Sequence, residues 1–184
     1  MTDETNLRRV FFALWPDDGL RVRLAALARK MPADGRLVPP EHLHLTLAFP
    51  GTVSSEVVAG LISRTAAIRG APIHLRLDRF GYFPGPRVAW LGPAETPTEL
   101  EALAASLLGV CRDSGVRMDD RPFRPHVTLR RFVTRFESVP VEPLDWRTDR
   151  MVLIESGQRG HPGPYRVLRS WALEGLPLAG PASA

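Results

Sequence analysis

The sequence predicts an α+β protein, with antiparallel sheets in two lobes, a central cleft between them and helices on the outer faces. Two observations carry this. Short runs rich in strand-forming residues are interspersed with three apolar stripes at helical spacing. One four-residue pattern also occurs twice, as His44-Leu45-Thr46-Leu47 and His126-Val127-Thr128-Leu129, 82 residues apart. A duplicated half, each contributing one motif strand, accounts for that spacing.

In chain order, Arg8 to Leu14 is a strongly apolar first strand. Pro16-Asp17-Asp18 opens a helix with acid at its positive end, and Leu20, Leu24, Leu27, Ala28 and Met31 form its stripe. A loop from Pro32 to Pro40 delivers the first motif strand, Leu43 to Phe49, which Gly51 is expected to end. Ser54 and Ser55 cap a second helix running to about Ile68, with Gly70 as its terminator. Ile73 to Leu77 alternates as a half-buried strand, Phe80 to Pro86 reads as a turn-rich aromatic loop, and Arg87 to Leu91 is a strand. Thr96-Pro97-Thr98-Glu99 reads as a capping box opening a third helix that stops at Gly115. The second motif strand begins near His126 and runs to Val133, and a proline-bearing linker passes Pro140, Pro143 and Trp146. Met151 to Glu155 and Tyr165 to Leu173 close the fold around a Gly/Pro loop expected to be mobile. Residues 1–176 form the two-lobed domain, and 177–184 are expected to be a disordered tail.

At 184 residues, with 44% hydrophobic and 24% charged, the composition is that of an ordinary globular protein. No apolar run is long enough to span a bilayer, and Met1 to Arg9 is polar rather than signal-like. The single Cys111 permits no internal disulfide and fits the buried face of a helix in a reducing compartment, so a cytoplasmic protein is expected. A monomer is expected too, since no extended apolar surface demands a partner. The net charge of +4 is almost wholly arginine, which suits bidentate contact with phosphate, although only arginines near the motifs bear on function.

On a strand, residues i and i+2 share a face, so His44 projects with Thr46, and His126 with Thr128. Two imidazoles facing one substrate suit paired acid–base catalysis: one takes a proton from a nucleophile while the other gives one to a leaving oxygen. The hydroxyls can hold anionic oxygens as charge accumulates. A cyclic phosphodiester fits this chemistry, being strained and open to attack without a metal. Three other histidines lack the pattern. His74 lies in a lone alternating strand, and His161 in a Gly/Pro loop where it is expected to be solvated. His42 shares parity with His44 but is expected to make a backbone hydrogen bond at the strand start. A metal site built on His42, His44 and His126 lacks a carboxylate at ligand spacing, so no metal or cofactor is expected. A non-catalytic RNA-end-binding module would use Arg121, Arg124, Arg130 and Arg131 but would not need matched imidazoles.

The ordered segments RRVFFALWP, LVPPEHLHLTLAFPGTV, RVAWLG, DRPFRPHVTLRR and YRVLRSWAL resemble the 2H phosphoesterase superfamily. Within it, they are most similar to the RNA 2′,3′-cyclic phosphodiesterases, or LigT-like 2′-5′ RNA ligases. The resemblance implies a two-lobed fold whose cleft holds both motifs. It also implies metal-independent hydrolysis of a terminal RNA 2′,3′-cyclic phosphate to a 2′-phosphate and a 3′-hydroxyl. His44 is then the proton donor to the departing 3′-oxygen, His126 the proton acceptor that activates water, and Thr46 and Thr128 the phosphate-holding hydroxyls. Reverse 2′-5′ ligation is implied as a side activity, and another small cyclic nucleotide remains an alternative substrate. Pro50 departs from the family pattern, at the strand exit only. Further substrate contacts are expected at Arg130, which shares Thr128's face by strand parity, with a solvated strand end as the other reading. Phe12 either borders the cleft or, the stronger reading, is core. Tyr82 and Phe83 either stack on a base or pack on the prolines of their loop.

Overall fold

The computed structural model describes residues 7–157 and 163–175. His161 and the tail from 177 lie outside the described residues. The described chain runs β1 (Leu7–Leu14), α1 (Asp18–Lys30), β2 (Arg36–Leu37), a 3₁₀ turn (Pro40–His42), β3 (Leu45–Ser54), α2 (Ser55–Thr65), β4 (Ile73–Phe83), β5 (Val88–Gly92), α3 (Thr98–Asp113), β6 (Val127–Arg131), β7 (Pro140–Thr148), β8 (Arg150–Ser156) and β9 (Arg166–Ala172). The fold is α+β and wholly antiparallel in its pairing, as the sequence predicts.

The two expected sheets are joined into one, in the order β7-β4-β5-β6-β3-β1-β8-β9, with β2 added beside β6. The halves meet where β3 touches β6 at a single pair, Leu45 with Val127. Further along β6 the neighbour is the chain before β3: Arg36 pairs with Arg131, Leu37 with Arg130, and the Val38 N–H donates to the Leu129 carbonyl at 2.9 Å. Pro39 and the 3₁₀ turn then redirect the chain so that β3 starts beside Val127. One face of the sheet carries the helices. Leu24 of α1, Leu61 of α2, and Leu100, Leu107 and Cys111 of α3 share one core with Phe12, Leu14, Leu45, Leu75, Leu91, Leu129 and Leu153. The opposite face bears a small apolar cluster, Phe11, Ala13, Val152 and Ile154, with Trp15 and Tyr165 against it. Cys111 is fully buried, and burial pushes its thiol up to about 12. Among the described residues no helix is long and apolar enough to cross a membrane.

Several boundaries differ from the sequence reading, each for a local reason. Gly51 does not end β3; at φ +80° it sits in an irregular stretch facing Val10 to Phe12, and the strand continues to Ser54. Helix α2 stops at Thr65, short of Ile68, in tight turns such as Ile68 N–H to the Thr65 carbonyl. Gly70 is small because Leu173 lies over it, where an added Cβ would come within 2.8 Å. Phe80 to Phe83 continue β4, so the turn is only Pro84 to Arg87. Helix α3 begins at Thr98 after Pro97, without the expected side-chain cap. The supposed linker Pro140 to Thr148 is β7; its prolines are tolerated because it is an edge strand.

The Leu45–Val127 pair joins the halves with both side chains fully buried. Leu45→Ala should lower the unfolding free energy by roughly 2–5 kcal/mol in urea denaturation, the range for a buried leucine that leaves a cavity.

Candidate active site

The register of that one pair builds the site. His44 and Thr46 flank Leu45, and His126 and Thr128 flank Val127. Leu45 and Val127 face the helices, so the four flanking side chains take the other face. In an antiparallel register, each histidine then stands across from the other motif's threonine. The histidines themselves lie one residue ahead of β3 and β6. The four residues are half-buried, and neither threonine hydroxyl makes a hydrogen bond among the described residues.

Both imidazoles are held alike. Nδ1 of His44 donates to the carbonyl of His42 at 2.7 Å, and Nδ1 of His126 to that of Arg124 at 2.6 Å. A carbonyl can only accept, so each Nδ1 keeps its proton and each Nε2 is the site of exchange. His42 contributes its backbone carbonyl, while its ring, among the described residues, stacks on Tyr165 at 4.2 Å instead of making the hydrogen bond expected of it. Aromatic rings surround each imidazole: Phe11, Trp15 and Tyr165 lie 4.6, 5.9 and 5.7 Å from His44, and Phe83 and Trp90 lie 5.0 and 6.0 Å from His126. Trp90 can lie flat because Gly81 is beneath it, where a Cβ would meet the indole at 2.1 Å.

Burial pushes the His44 imidazole down to about 4, against the His42 hydrogen bond, and the charges of Arg131, His126 and His42 deepen the shift. His126 is also lowered by burial, opposed by the Arg124 carbonyl, with Arg131 adding to the fall. Arg131 is therefore the cation felt by both imidazoles.

Strand parity points to Arg130 instead, but a bulge in β6 breaks the parity: Trp90 pairs with Thr128, while Ala89 pairs with Arg130 and Val88 with Arg131. Arg130 therefore shares the helix face with buried Ala89, and its Nε donates to the Ala28 carbonyl in the last turn of α1 at 3.1 Å. Arg131 returns to the face of Thr128. Phe12 is likewise core, fully buried, and its neighbour Phe11 is the ring beside His44. Tyr82 points to the core side, its hydroxyl donating to the Val133 carbonyl at 3.0 Å and its ring stacked on Phe136, while Phe83 reaches His126. His74 is an exposed residue paired with Asp145 at 3.1 Å. No group of three His, Cys, Asp or Glu side chains among the described residues is arranged to hold a metal ion.

A family model described as the 2′-5′ RNA ligase superfamily matches residues 16–160. The chain belongs to this superfamily. The RNA 2′,3′-cyclic phosphodiesterase of Escherichia coli is 37% identical over 145 residues, covering 77% of this chain and 82% of that protein. The protein of the same name from Thermus thermophilus is 33% identical over 182 residues, 91% of each. The crystal structure of E. coli LigT in apo form superposes with a TM-score of 0.80 at 34% identity, over 92% of this chain and 99% of that one; a second structure of it, with 3′-AMP, gives 0.80. The superfamily assignment agrees with the 2H resemblance carried by the two motifs.

An imidazole whose pKa falls on folding takes its proton more readily in the unfolded chain, so acid favours unfolding. The His44 contribution to stability is complete above its ordinary value near 6.5 and is lost as pH falls towards 4. Urea midpoints measured across that window should fall with acid, and His44→Gln should flatten the slope.

Proposed function

We propose that this 2H phosphoesterase hydrolyses RNA 2′,3′-cyclic phosphate ends to 2′-phosphates without a metal. The observation that carries the reading is the register: two imidazoles with exchangeable Nε2 atoms, each across from the other motif's threonine, about one buried pair. The names of the E. coli and T. thermophilus relatives state the same activity. The mononucleotide in the E. coli LigT complex supports a nucleotide as the group received.

In the proposed reaction the Thr46 and Thr128 hydroxyls and the Arg131 guanidinium hold the non-bridging oxygens of the cyclic phosphate. His126 Nε2 accepts a proton from water as its oxygen attacks phosphorus in line with the 3′-oxygen. The P–O3′ bond breaks, and His44 gives its Nε2 proton to the departing 3′-oxygen. The products are a 2′-phosphate and a 3′-hydroxyl, with the two imidazoles' protonation exchanged until solvent resets them. With a 5′-hydroxyl in place of water, the same steps join the cyclic end to a second RNA: the 5′-oxygen bonds to phosphorus, the P–O3′ bond breaks, and a 2′-5′ linkage and a 3′-hydroxyl result. The working state is a cytoplasmic monomer.

The test is hydrolysis of a short RNA ending in a 2′,3′-cyclic phosphate, under excess chelator, with the product's phosphate position read out. Chelator-resistant conversion to the 2′-phosphate is expected. Binding without turnover would overturn the reading, and a 3′-phosphate would exchange the roles of the two histidines. His44→Ala and His126→Ala should each lose roughly 10²–10⁴-fold in kcat while keeping a cooperative unfolding transition. Since burial lowers both imidazoles in the empty cleft, kcat/KM should be bell-shaped, with its maximum at lower pH than two ordinary imidazoles would give. The kcat profile should lie at higher pH, because a bound anion favours each imidazolium; a monotonic profile would contradict a paired acid and base.

A further inference from the structure

The open face holds more than the catalytic residues. Strand β4 outruns β5: Ile73 to Leu77 pair only with β7, and pairing with β5 starts at Arg79 with Gly92. The two strands make an arm that projects past the end of β5 at which β6 begins. From the arm the chain passes through one residue, Asp149, from the end of β7 into β8 of the other half. The sheet therefore curves until its edge strand joins the far half, and a cavity of about 820 Å³ lies in that corner. This volume is within the ~300–1,000 Å³ usual for ligand clefts. His74 and Arg147 of the arm form one wall, Trp15 and Val152 the other, and Thr148 and Arg150 the corner. Trp15 belongs to both places, stacked on the His44 ring at 5.9 Å with 16° between the planes. Val152 belongs to the apolar cluster that includes Phe11, which also touches His44. The cavity thus begins one ring away from the imidazole.

Its chemistry is mixed. The guanidiniums of Arg147 and Arg150 are exposed and make no hydrogen bond or ion pair among the described residues. Of the two carboxylates in the lining, Asp17 accepts from the Leu20 N–H at 2.7 Å as the cap of α1, which leaves Asp149 against two arginines. His74 is already matched by Asp145. Two uncommitted guanidiniums, a hydrogen-bond acceptor and an apolar wall of Val152 and the edge of Trp15, whose ring already stacks on His44 and lies under the Arg21 guanidinium, suit a nucleotide: cations for the phosphodiester, a partner for base or ribose edges and apolar surface beside the base. The catalytic square needs only the terminal cyclic phosphate. We propose that this cavity receives the nucleotide preceding the cyclic end, so that the enzyme grips an RNA chain through a second subsite. This rests on the function proposed above and adds the part of the substrate that lies beyond the reacting nucleotide.

The test compares a 2′,3′-cyclic mononucleotide with a short RNA carrying the same end, in the wild type and in the double variant Arg147→Ala/Arg150→Ala. Neither arginine belongs to the catalytic square. The wild type should show a lower KM for the RNA than for the mononucleotide. The double variant should raise the RNA KM roughly tenfold and leave mononucleotide kinetics unchanged. The log–log salt dependence for RNA should flatten by about 0.7 for each phosphate that the variant no longer neutralises. Equal KM values for the two wild-type substrates, equal losses on both in the variant, or no change on either would overturn the subsite. Equilibrium binding of the product RNA, ending in a 2′-phosphate, separates the two claims. If the wild type turns over neither substrate, the proposed function fails; weaker RNA binding by the double variant would still sustain the subsite, and unchanged binding would dismiss it.

Discussion

One backbone register, Leu45 against Val127, fixes the chemistry of this protein. The two strands that meet there are held on their other sides by β1 and β5, and both paired side chains are fully buried in the core against the helices. A slip of one residue would turn the histidines and threonines into the core and expose the leucine and valine, so burial itself enforces the site. The pairing does not extend, because β2 and Val38 occupy the rest of that edge of β6. The halves thus diverge on either side of a narrow join, which leaves the face opposite the helices open between them.

The motifs were legible because the same parity recurs: an imidazole and a hydroxyl on one face, with buried aliphatic residues between. Arg131 was not legible, because a strict alternation of two carries through Arg130, and the extra residue in β6 shows only in its pairing with β5. Phe11 and Phe12 present a different limit. Strand β1 is buried on both faces from Val10 to Leu14, so VFFAL is continuously apolar and shows no alternation that says which ring faces the cleft. The register does, since Ala13 pairs with Thr46, which puts Phe11 on the histidine side.

The helices and most strands were readable from periodicity and end signals: Ser54 caps α2 as expected, and the acid expected at the start of α1 includes its cap, Asp17. The edge strand β7 was not, since Pro140 and Pro143 read as breakers until the strand is known to lie at an edge. That omission concealed more than one strand. Without β7 the arm has no second strand, the single-residue corner at Asp149 does not exist, and the cavity between the halves cannot be inferred from sequence.

The environment that orients the imidazoles also keeps them neutral. Aromatic walls exclude water, and Arg131 adds a positive charge that both rings feel, so in the empty cleft neither readily holds a second proton. An acid–base pair needs one proton on board. In the proposed reaction, a phosphodiester anion held by Arg131 and the threonines would offset the charge that depresses both rings and supply a negative one beside them. Each imidazole then gains proton affinity only when substrate is present. The His42 carbonyl already favours the charged form of His44, so that ring can take up the proton without moving. Binding the anion and arming the acid are, on this geometry, one event.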